Sequence, residues 1–413
     1  MSHSAQPVHP RAALLYPDFR FFASARFLAL LSHQMLNVAA GQYVYELTRN
    51  PLHLGYIGLF LFLPKLIFTI LGGQVADRYD RRRIILTCRV LQFFAILGLI
   101  MVVHRADSPL SLLYALLFLM GMANAFDGPA SQSIVPQLVT TEHFSNAVTW
   151  NASTMQTALI AGPAVGGWIY GVSGKALTVF YVVALLRLIS AFLVAMIKSR
   201  TAKLDRSVVS LETLLAGIRY VYQKKIILGA ISLDLFAVLL GGAVALLPIY
   251  ANEILKVGPS GLGMLRAAPA LGAALMAMSL TYLPPFKKAG KAMFICVAIF
   301  GLATICFGIS KNFHLSLLFL FILGASDMIS VVIRGVLVQI KTPDAMRGRV
   351  SAVNLVFIGA SNELGEFESG LTASWFGVIP AVILGGVGTL AVVALWAWKF
   401  PDLRKFKRID ELA

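Results

Sequence analysis

Long apolar stretches dominate this sequence and restrict what it can fold into. They come in blocks of roughly twenty residues, the length that an α-helix needs to cross a hydrocarbon layer about 30 Å thick. Only 13% of the 413 residues are charged, against about 25% in soluble domains. A transmembrane β-barrel would alternate apolar and polar residues in segments of about ten, and this sequence does not. The chain is therefore predicted to be an all-α polytopic membrane protein.

The apolar stretches predict twelve spans, most of them joined by short loops with Gly, Pro or Asn. The longer connection 198–225 divides them into an N-terminal six-helix bundle (1–197) and a C-terminal six-helix bundle (226–413). Apolar residues in this linker recur with helical spacing and predict a helix on the membrane surface: Leu211, Leu214, Leu215, Ile218 and Val221. The predicted spans are 20–46, 54–76, 84–103, 110–135, 145–171, 176–197, 226–251, 259–284, 290–310, 313–340, 350–375 and 377–399.

Lysine and arginine are unevenly distributed between the two sides of these spans. The loops on the side of both termini hold about two dozen of them, many in 78–83, 198–225 and 404–408. The positive-inside rule therefore predicts that both termini are cytoplasmic. The same rule explains the net charge of +16 without a nucleic-acid partner.

An internal repeat supports the division into two halves. FLMGMANAFDG (118–128) aligns with FILGASDMISV (321–331), and SNAVTW (145–150) resembles VSAVNL (350–355), at an offset of about half the chain. Two pseudo-symmetric six-helix halves are the architecture of a large class of transporters.

The segment GGQVADRYDRRRIIL (72–86) concentrates charge of both signs between two apolar stretches. It resembles the loop 2–3 signature of the major facilitator superfamily, with Asp80 in place of the usual glycine. The resemblance implies that Asp77 ends span 2, faces the start of span 11 and acts with the arginines as a cytoplasmic gate. A carboxylate there can bind free helix N–H groups or pair with loop arginines, although topology alone would also explain the arginines. The matching residues are Gly73, Asp77, Arg78, Arg81 and Arg82.

Span 5 carries AGPAVGG (161–167), which resembles the antiporter motif of exporters in the same superfamily. Its small residues allow close approach of helices, and the proline removes a backbone hydrogen bond. The resemblance implies export rather than uptake. The motif residues are Gly162, Pro163, Gly166 and Gly167.

Ionisable side chains inside the predicted spans are costly unless each faces a partner or a wet cavity. Arg26 and Asp127 are predicted at similar depth in one half, as are Asp234 and Arg334 in the other. Two ion pairs within the halves are expected, with either a structural or a transport role.

Lys65 in span 2 is expected to pair with Glu363 or Glu366, which lie three residues apart on one face of span 11. Protonation of the acid would weaken this pair and shift the conformational equilibrium. The candidates for the proton-coupling carboxylate are, in order, Glu366, Glu363, Asp327 and Asp234.

Segments along the whole chain resemble the enterobactin-exporter-like, or transmembrane secretion effector, group of the superfamily. They include LLYPDFRFFASARFLALLSHQM, ELGEFESGLTASWFG and FPDLRKFKRIDEL. The resemblance implies a monomer of twelve transmembrane helices in the inner membrane. It also implies export of a siderophore or similar amphipathic metabolite by alternating access, driven by proton influx. Polar contacts with this substrate are expected from Asn37, Gln42 and Tyr43 of span 1.

A lipid flippase and an uptake transporter on the same fold are the alternatives. An enzyme is not expected, because the sequence contains no HExxH, GxSxG or His/Cys metal cluster. A nucleotide-driven pump would need a Walker A string, which is also absent from the sequence. No cofactor or metal is predicted.

Overall fold

A computed structural model describes residues 11–105, 109–198, 211–283, 286 and 288–406. These residues form helices and their connections, without a β-strand. The helices are α1 (Pro17–Thr48), α2 (Pro51–Arg78), α3 (Arg81–His104), α4 (Leu110–Leu138), α5 (Phe144–Ser173), α6 (Ala176–Met196), α7 (Leu211–Gln223), α8 (Lys225–Leu240), α9 (Leu247–Ile249), α10 (Gly258–Tyr282), α11 (Ala289–Ile309), α12 (Phe313–Lys341), α13 (Asp344–Phe376), α14 (Val378–Lys399) and α15 (Pro401–Arg404).

Each predicted span overlaps helical structure in the described part of the chain, and the bounds differ by a few residues. The span predicted at 226–251 is interrupted after α8 and continues through short helical turns to a π-helix at Tyr250–Ile254. In the described part of the chain, nine helical stretches are long and apolar enough to cross a membrane. The remaining long helices, α1, α5 and α13, are more polar or more charged. The chain is a multi-pass membrane protein, and the count of twelve spans stays a prediction.

Two compact units make up the chain. Unit 1 contains Met1–Ala39 and Leu63–Val209, and unit 2 contains Ala40–Phe62 and Ser210–Ala413. The end of α1 and the start of α2 therefore belong with the second half of the sequence. We call the start of α1 and the end of α2 their inner ends. The inner end of any other helix is the end that lies on the same side, and the opposite end is its outer end. The predicted bundle boundaries stay a prediction.

Corresponding helices of the internal repeat pack through glycine in both units. In unit 1, a Cβ on Gly72 of α2 would collide with the backbone carbonyl of Ala125 in α4. In unit 2, a Cβ on Gly272 of α10 would collide in the same way with the carbonyl of Phe321 in α12. Both contacts bring two helix backbones together, as is common in membrane proteins. The repeat recognised in the sequence thus recurs in the packing.

The linker helix expected from the apolar spacing is present as α7. Val221 is buried in the core of unit 2 together with Ile227 and Val353. The Tyr220 hydroxyl donates a hydrogen bond to the backbone carbonyl of Lys341 at 3.3 Å. Val221 and Tyr220 near the end of α7 therefore pack on unit 2, while Ile218 is exposed. Its expected position on a membrane surface stays a prediction.

Candidate functional site

Asp80, the residue that departs from the superfamily signature, is the N-cap of α3. Its carboxylate accepts hydrogen bonds from the backbone N–H groups of Arg82 at 2.9 Å and Arg83 at 3.4 Å. Aspartate is among the best N-cap residues, because it binds free N–H groups and its charge opposes the helix dipole. The substitution for glycine therefore gives α3 a defined start.

The loop arginines bind the carbonyl ends of neighbouring helices. Arg81 is buried, and its Nε donates to the carbonyl of Ala76 in α2 at 3.2 Å. Arg82 donates to the carbonyls of Val194, at 3.3 Å, and Ala195, both in the last turn of α6. Carbonyls at a helix C-terminus have no partner within the helix, and the dipole there favours cations. These arginines therefore join the inner ends of α2, α3 and α6, which the sequence alone did not indicate.

The three other members of the signature have fewer contacts. Asp77 is half-buried and, among the residues that the structure describes, has no hydrogen bond or ion pair; Arg78 is exposed. A Cβ on Gly73 would meet no other atom within 4 Å, so the close contact of this segment belongs to Gly72. The gate at the start of α13 stays a prediction.

The antiporter motif packs α5 against α1. A Cβ on Gly162 would lie 3.1 Å from the carbonyl oxygen of Leu31, and one on Gly166 would lie 2.9 Å from Cα of Met35. Pro163 and Gly167 are buried beside them, and α5 continues through the proline. The motif glycines thus remove the side chains that would separate these two helices.

The expected pair of Arg26 with Asp127 is not the one that the structure contains. Asp127 forms an ion pair with Arg89 of α3, with 2.9 Å between Arg89 Nη2 and Asp127 Oδ2. Arg26 lies within electrostatic reach of both groups, but its Nε and Nη1 have no hydrogen-bond partner among the described residues. The prediction was wrong because equal depth does not fix which helix faces which side chain.

Arg187 of α6 joins the same region of unit 1. Its Nη1 donates to Gln92 Oε1 at 2.6 Å, and Gln92 donates in turn to Asn124 Oδ1 at 2.8 Å. Arg89 and Gln92 were not among the residues predicted from the sequence. The signal that could have found them is their position within an apolar span, eight and eleven residues after the start of α3.

In unit 2, Arg334 of α12 forms an ion pair with Asp234 of α8, the pair expected from their similar depth in the sequence. Both side chains are buried. Asp327 is half-buried and lies within electrostatic reach of this pair. Of the two aspartates expected to carry protons, Asp234 is therefore already paired with a cation.

The outer part of α2 packs closely against α13 in unit 2. A Cβ on Gly58 would lie 2.8 Å from Oε2 of Glu366, and one on Gly55 would lie 3.1 Å from the carbonyl of Phe367. The ring of Tyr56 stacks on Phe367 with centroids 6.0 Å apart. These contacts place Glu366 at a contact between helices. The expected pairing of Lys65 with Glu363 or Glu366 stays a prediction.

A polar cluster joins the outer end of α1 to the π-helix. Gln42 and Asn252 exchange two hydrogen bonds, of 3.1 and 2.8 Å, and Gln42 also donates to Glu46 at 2.8 Å. The Tyr45 hydroxyl donates to Glu253, and Arg49 donates to Tyr45 at 3.1 Å. We name these six residues the outer cluster.

The expected substrate contacts in α1 have different surroundings. The amide of Gln42 is buried and hydrogen-bonded within the outer cluster, and its expected contact with the substrate stays a prediction. Asn37 is half-buried and donates to Gln34 at 3.4 Å, and Tyr43 is half-buried. In the described ranges, no group of His, Cys, Asp or Glu has the arrangement of a metal site.

Comparisons with known proteins agree with this architecture. A family model for transmembrane secretion effectors matches residues 9–412. Enterobactin exporters EntS from Escherichia coli O1:K1 and Shigella boydii serotype 18 are each 23% identical over 393 residues, covering 95% of this chain and 94% of the relative. A mutant of the nucleoside transporter NupG superposes with a TM-score of 0.72 at 13% identity, covering 93% of this chain and 100% of that one.

A bacterial homologue of the human lysosomal transporter Spinster has a TM-score of 0.71 at 16% identity, covering 97% of this chain and 98% of that one. These solved structures have the major facilitator fold, and the likeness confirms the predicted fold class. The family match extends over nearly the whole sequence. The chain belongs to the transmembrane secretion effector family of major facilitator transporters, and it is a transporter rather than an enzyme.

Proposed function

We propose that this transporter is a proton-coupled antiporter that exports a siderophore or a similar amphipathic metabolite by alternating access. The direction and the substrate class are supported by relatives that are named as enterobactin exporters. The match to them covers 95% of this chain. The geometric observation that carries the proposal is the contact of Gly162 and Gly166 with α1. Motif glycines of this kind are typical of exporters in the superfamily. We also propose the bacterial inner membrane, with both termini in the cytoplasm, as the location.

Proton coupling is assigned to acids of unit 2 that lie within helices. Glu366 and Glu363 are half-buried in α13, and Glu366 packs against Gly58 of α2. Lys65 lies seven residues beyond Gly58 and therefore on the same face of α2. Protonation of either glutamate would weaken a pair with Lys65 and shift the conformational equilibrium. Asp327 is the next candidate, and Asp234 follows it because Arg334 already neutralises its charge.

The test is reconstitution of the full chain in liposomes with an imposed pH gradient and a panel of siderophores and dyes. Substrate flux and proton movement are measured together. We expect coupled, opposite fluxes in the parent protein and loss of coupling in the double variant Glu363→Gln/Glu366→Gln. The control is Glu142→Gln, at an exposed glutamate outside the long helices. Coupled flux that survives in the double variant would remove both glutamates from the mechanism.

The direction and the substrate are tested in cells. A strain lacking this gene should accumulate the metabolite inside and secrete less of it, as measured by metabolite profiling. Unchanged secretion of siderophores would argue against the proposed cargo. Accumulation outside the cell would instead support uptake, the alternative direction on the same fold.

A lipid flippase is the second candidate. It is favoured by a cavity of about 450 Å³ between α2, α3 and α4. The cavity lining is mainly apolar, with Met122 and Phe126, and also includes Asp80 and Arg83. This combination suits a lipid tail and a polar headgroup. Liposomes with fluorescent phospholipid in both leaflets distinguish the two functions, because a flippase moves the lipid without the metabolite.

A further inference from the structure

Among the described residues, the polar interior of unit 1 holds more positive than negative charge. Three arginines, Arg26, Arg89 and Arg187, lie there within electrostatic reach of one carboxylate, Asp127. We name these four residues the arginine cluster. Arg89 is 5% exposed and Arg187 is 1% exposed. Buried charges are costly unless they are paired, and one carboxylate neutralises only one of the three cations.

All four members of the arginine cluster lie at the same depth. Each is eight to eleven residues from the inner end of its own helix, which corresponds to about 12–17 Å at 1.5 Å per residue. They come from α1, α3, α4 and α6, so their positive charge is concentrated in one layer of unit 1. The internal repeat does not explain this excess, because unit 2 has two aspartates, Asp234 and Asp327, beside its Arg334.

The hydrogen bonding of the arginine cluster is incomplete. Arg89 uses Nη2 for Asp127, and Arg187 uses Nη1 for Gln92. Buried N–H donors without a partner remain on Arg26 (Nε, Nη1), Arg89 (Nε) and Arg187 (Nε, Nη2) among the described residues. A buried donor without a hydrogen-bond partner costs more free energy when it belongs to a charged group than when it belongs to a neutral group. A further acceptor with negative charge would lower the free energy of the cluster.

Arg26 is the member of the cluster that another molecule can reach first. It is half-buried, whereas Arg89 and Arg187 are buried. A guanidinium presents a planar pair of donors that matches a carboxylate or a similar oxyanion. Positive charges in a medium of low dielectric constant act over several ångströms. An acidic group at Arg26 would therefore also be attracted by Arg89 and Arg187.

We propose that Arg26 binds an acidic group, a carboxylate or a comparable oxyanion, of the transported metabolite, while the nearby Arg89 and Arg187 add positive potential. This inference rests on the proposed function and narrows its substrate class to anionic amphipathic molecules. Neutral dyes of the same size as these anionic substrates would bind poorly at Arg26.

The test compares two small probes that differ in charge and little else, salicylate and salicylamide. The full-length purified protein is titrated at pH 7, and binding is followed by calorimetry and by the melting temperature, with sodium chloride at equal ionic strength as reference. We expect salicylate to bind and to raise the melting temperature above both references. Equal effects of salicylate and salicylamide, or of salicylate and sodium chloride, would overturn the proposal.

Variants assign the binding to Arg26. Arg26→Gln should weaken salicylate binding about tenfold, the loss expected when one charged hydrogen bond is removed. Arg20→Gln, at an exposed arginine earlier in α1, should leave it unchanged. Arg26→Lys keeps the charge and should bind salicylate more tightly than Arg26→Gln. Equal affinities of Arg26→Gln and the parent protein, or of the two Arg26 variants, would overturn the assignment.

These results are independent of the flux experiments. Salicylate binding through Arg26 without siderophore export would leave the anion site standing and remove the proposed cargo. Siderophore export by a protein that does not distinguish salicylate from salicylamide would do the reverse.

Discussion

At the scale of single residues, the buried charges divide into those with a partner and those without one. Asp234 and Arg334 neutralise each other in unit 2. In unit 1, Asp127 forms its ion pair with Arg89, and Arg26 has no ion pair among the described residues. The sequence predicted the depth of these groups from their distance to the span ends. It could not predict the rotation of each helix about its axis, which decides whether Asp127 meets α1 or α3. Asp80 is a similar case, because only the start of α3 reveals it as a cap.

The pair of Asp234 and Arg334 gives a prediction about stability. Arg334→Met leaves Asp234 buried without its cation, and we expect a loss of about 3–5 kcal/mol in the free energy of unfolding. The double variant Asp234→Leu/Arg334→Met removes both charges and should recover most of that loss. Unfolding by denaturant in detergent measures both. If the double variant were as unstable as Arg334→Met, the two side chains would not act as a pair.

At the scale of helices, glycine decides which backbones come together. Gly72, Gly272 and the antiporter glycines each remove a side chain that would meet a neighbouring backbone. The sequence identified Gly162 and Gly166 from their motif, and it predicted the helices that contain them. It gave no indication of the helix that receives them, because a small residue permits close approach without specifying the partner. The motif alone did not identify the contacting residue near the end of α2. Gly73 matches the motif, but Gly72 makes the close contact.

A single methyl group tests the contact of α5 with α1. Gly166→Ala places a Cβ 2.9 Å from Cα of Met35, and we expect a loss of about 1–3 kcal/mol from overpacking together with reduced transport. Gly128→Ala in α4 is the matched control, because its Cβ would meet no other atom within 4 Å. In that variant alanine should be neutral or stabilising by about 0.5–1 kcal/mol. Melting temperature and proteoliposome flux measure the two effects, and equal behaviour of the variants would contradict the packing role.

At the scale of the whole molecule, α1 and α2 do not belong to one unit along their entire length. Their outer parts pack in unit 2 through the outer cluster and through Gly55 and Gly58. Alternating access moves one bundle of a transporter against the other. Gln42 and Asn252 belong to different bundles in the division predicted from the sequence, and if those bundles are the moving parts we expect the outer cluster to separate during the transport cycle. The contact consists of hydrogen bonds between polar side chains, which suits a contact that forms and breaks.

Cross-linking tests this expectation. The variant Gln42→Cys/Asn252→Cys places two thiols on side chains that are hydrogen-bonded in the structure. Treatment with a short bismaleimide should join α1 to the π-helix and abolish flux in proteoliposomes. Each single variant treated in the same way is the control for the native cysteines, of which Cys88 and Cys296 are buried. Full transport after complete cross-linking would show that the outer cluster stays closed throughout the cycle.

The sequence by itself determined the membrane class, the helices and their order, and the family, because length, hydropathy and local motifs are properties of contiguous residues. It also placed the ionisable groups at their depths along each helix. Only the tertiary structure decided that Asp127 pairs with Arg89, that Gln42 is occupied by Asn252, and that three arginines share one carboxylate. The physical reason is that these contacts depend on the rotation of each helix about its axis and on which neighbouring helix packs against its glycines. Both are decided only when segments that are distant in the sequence pack together.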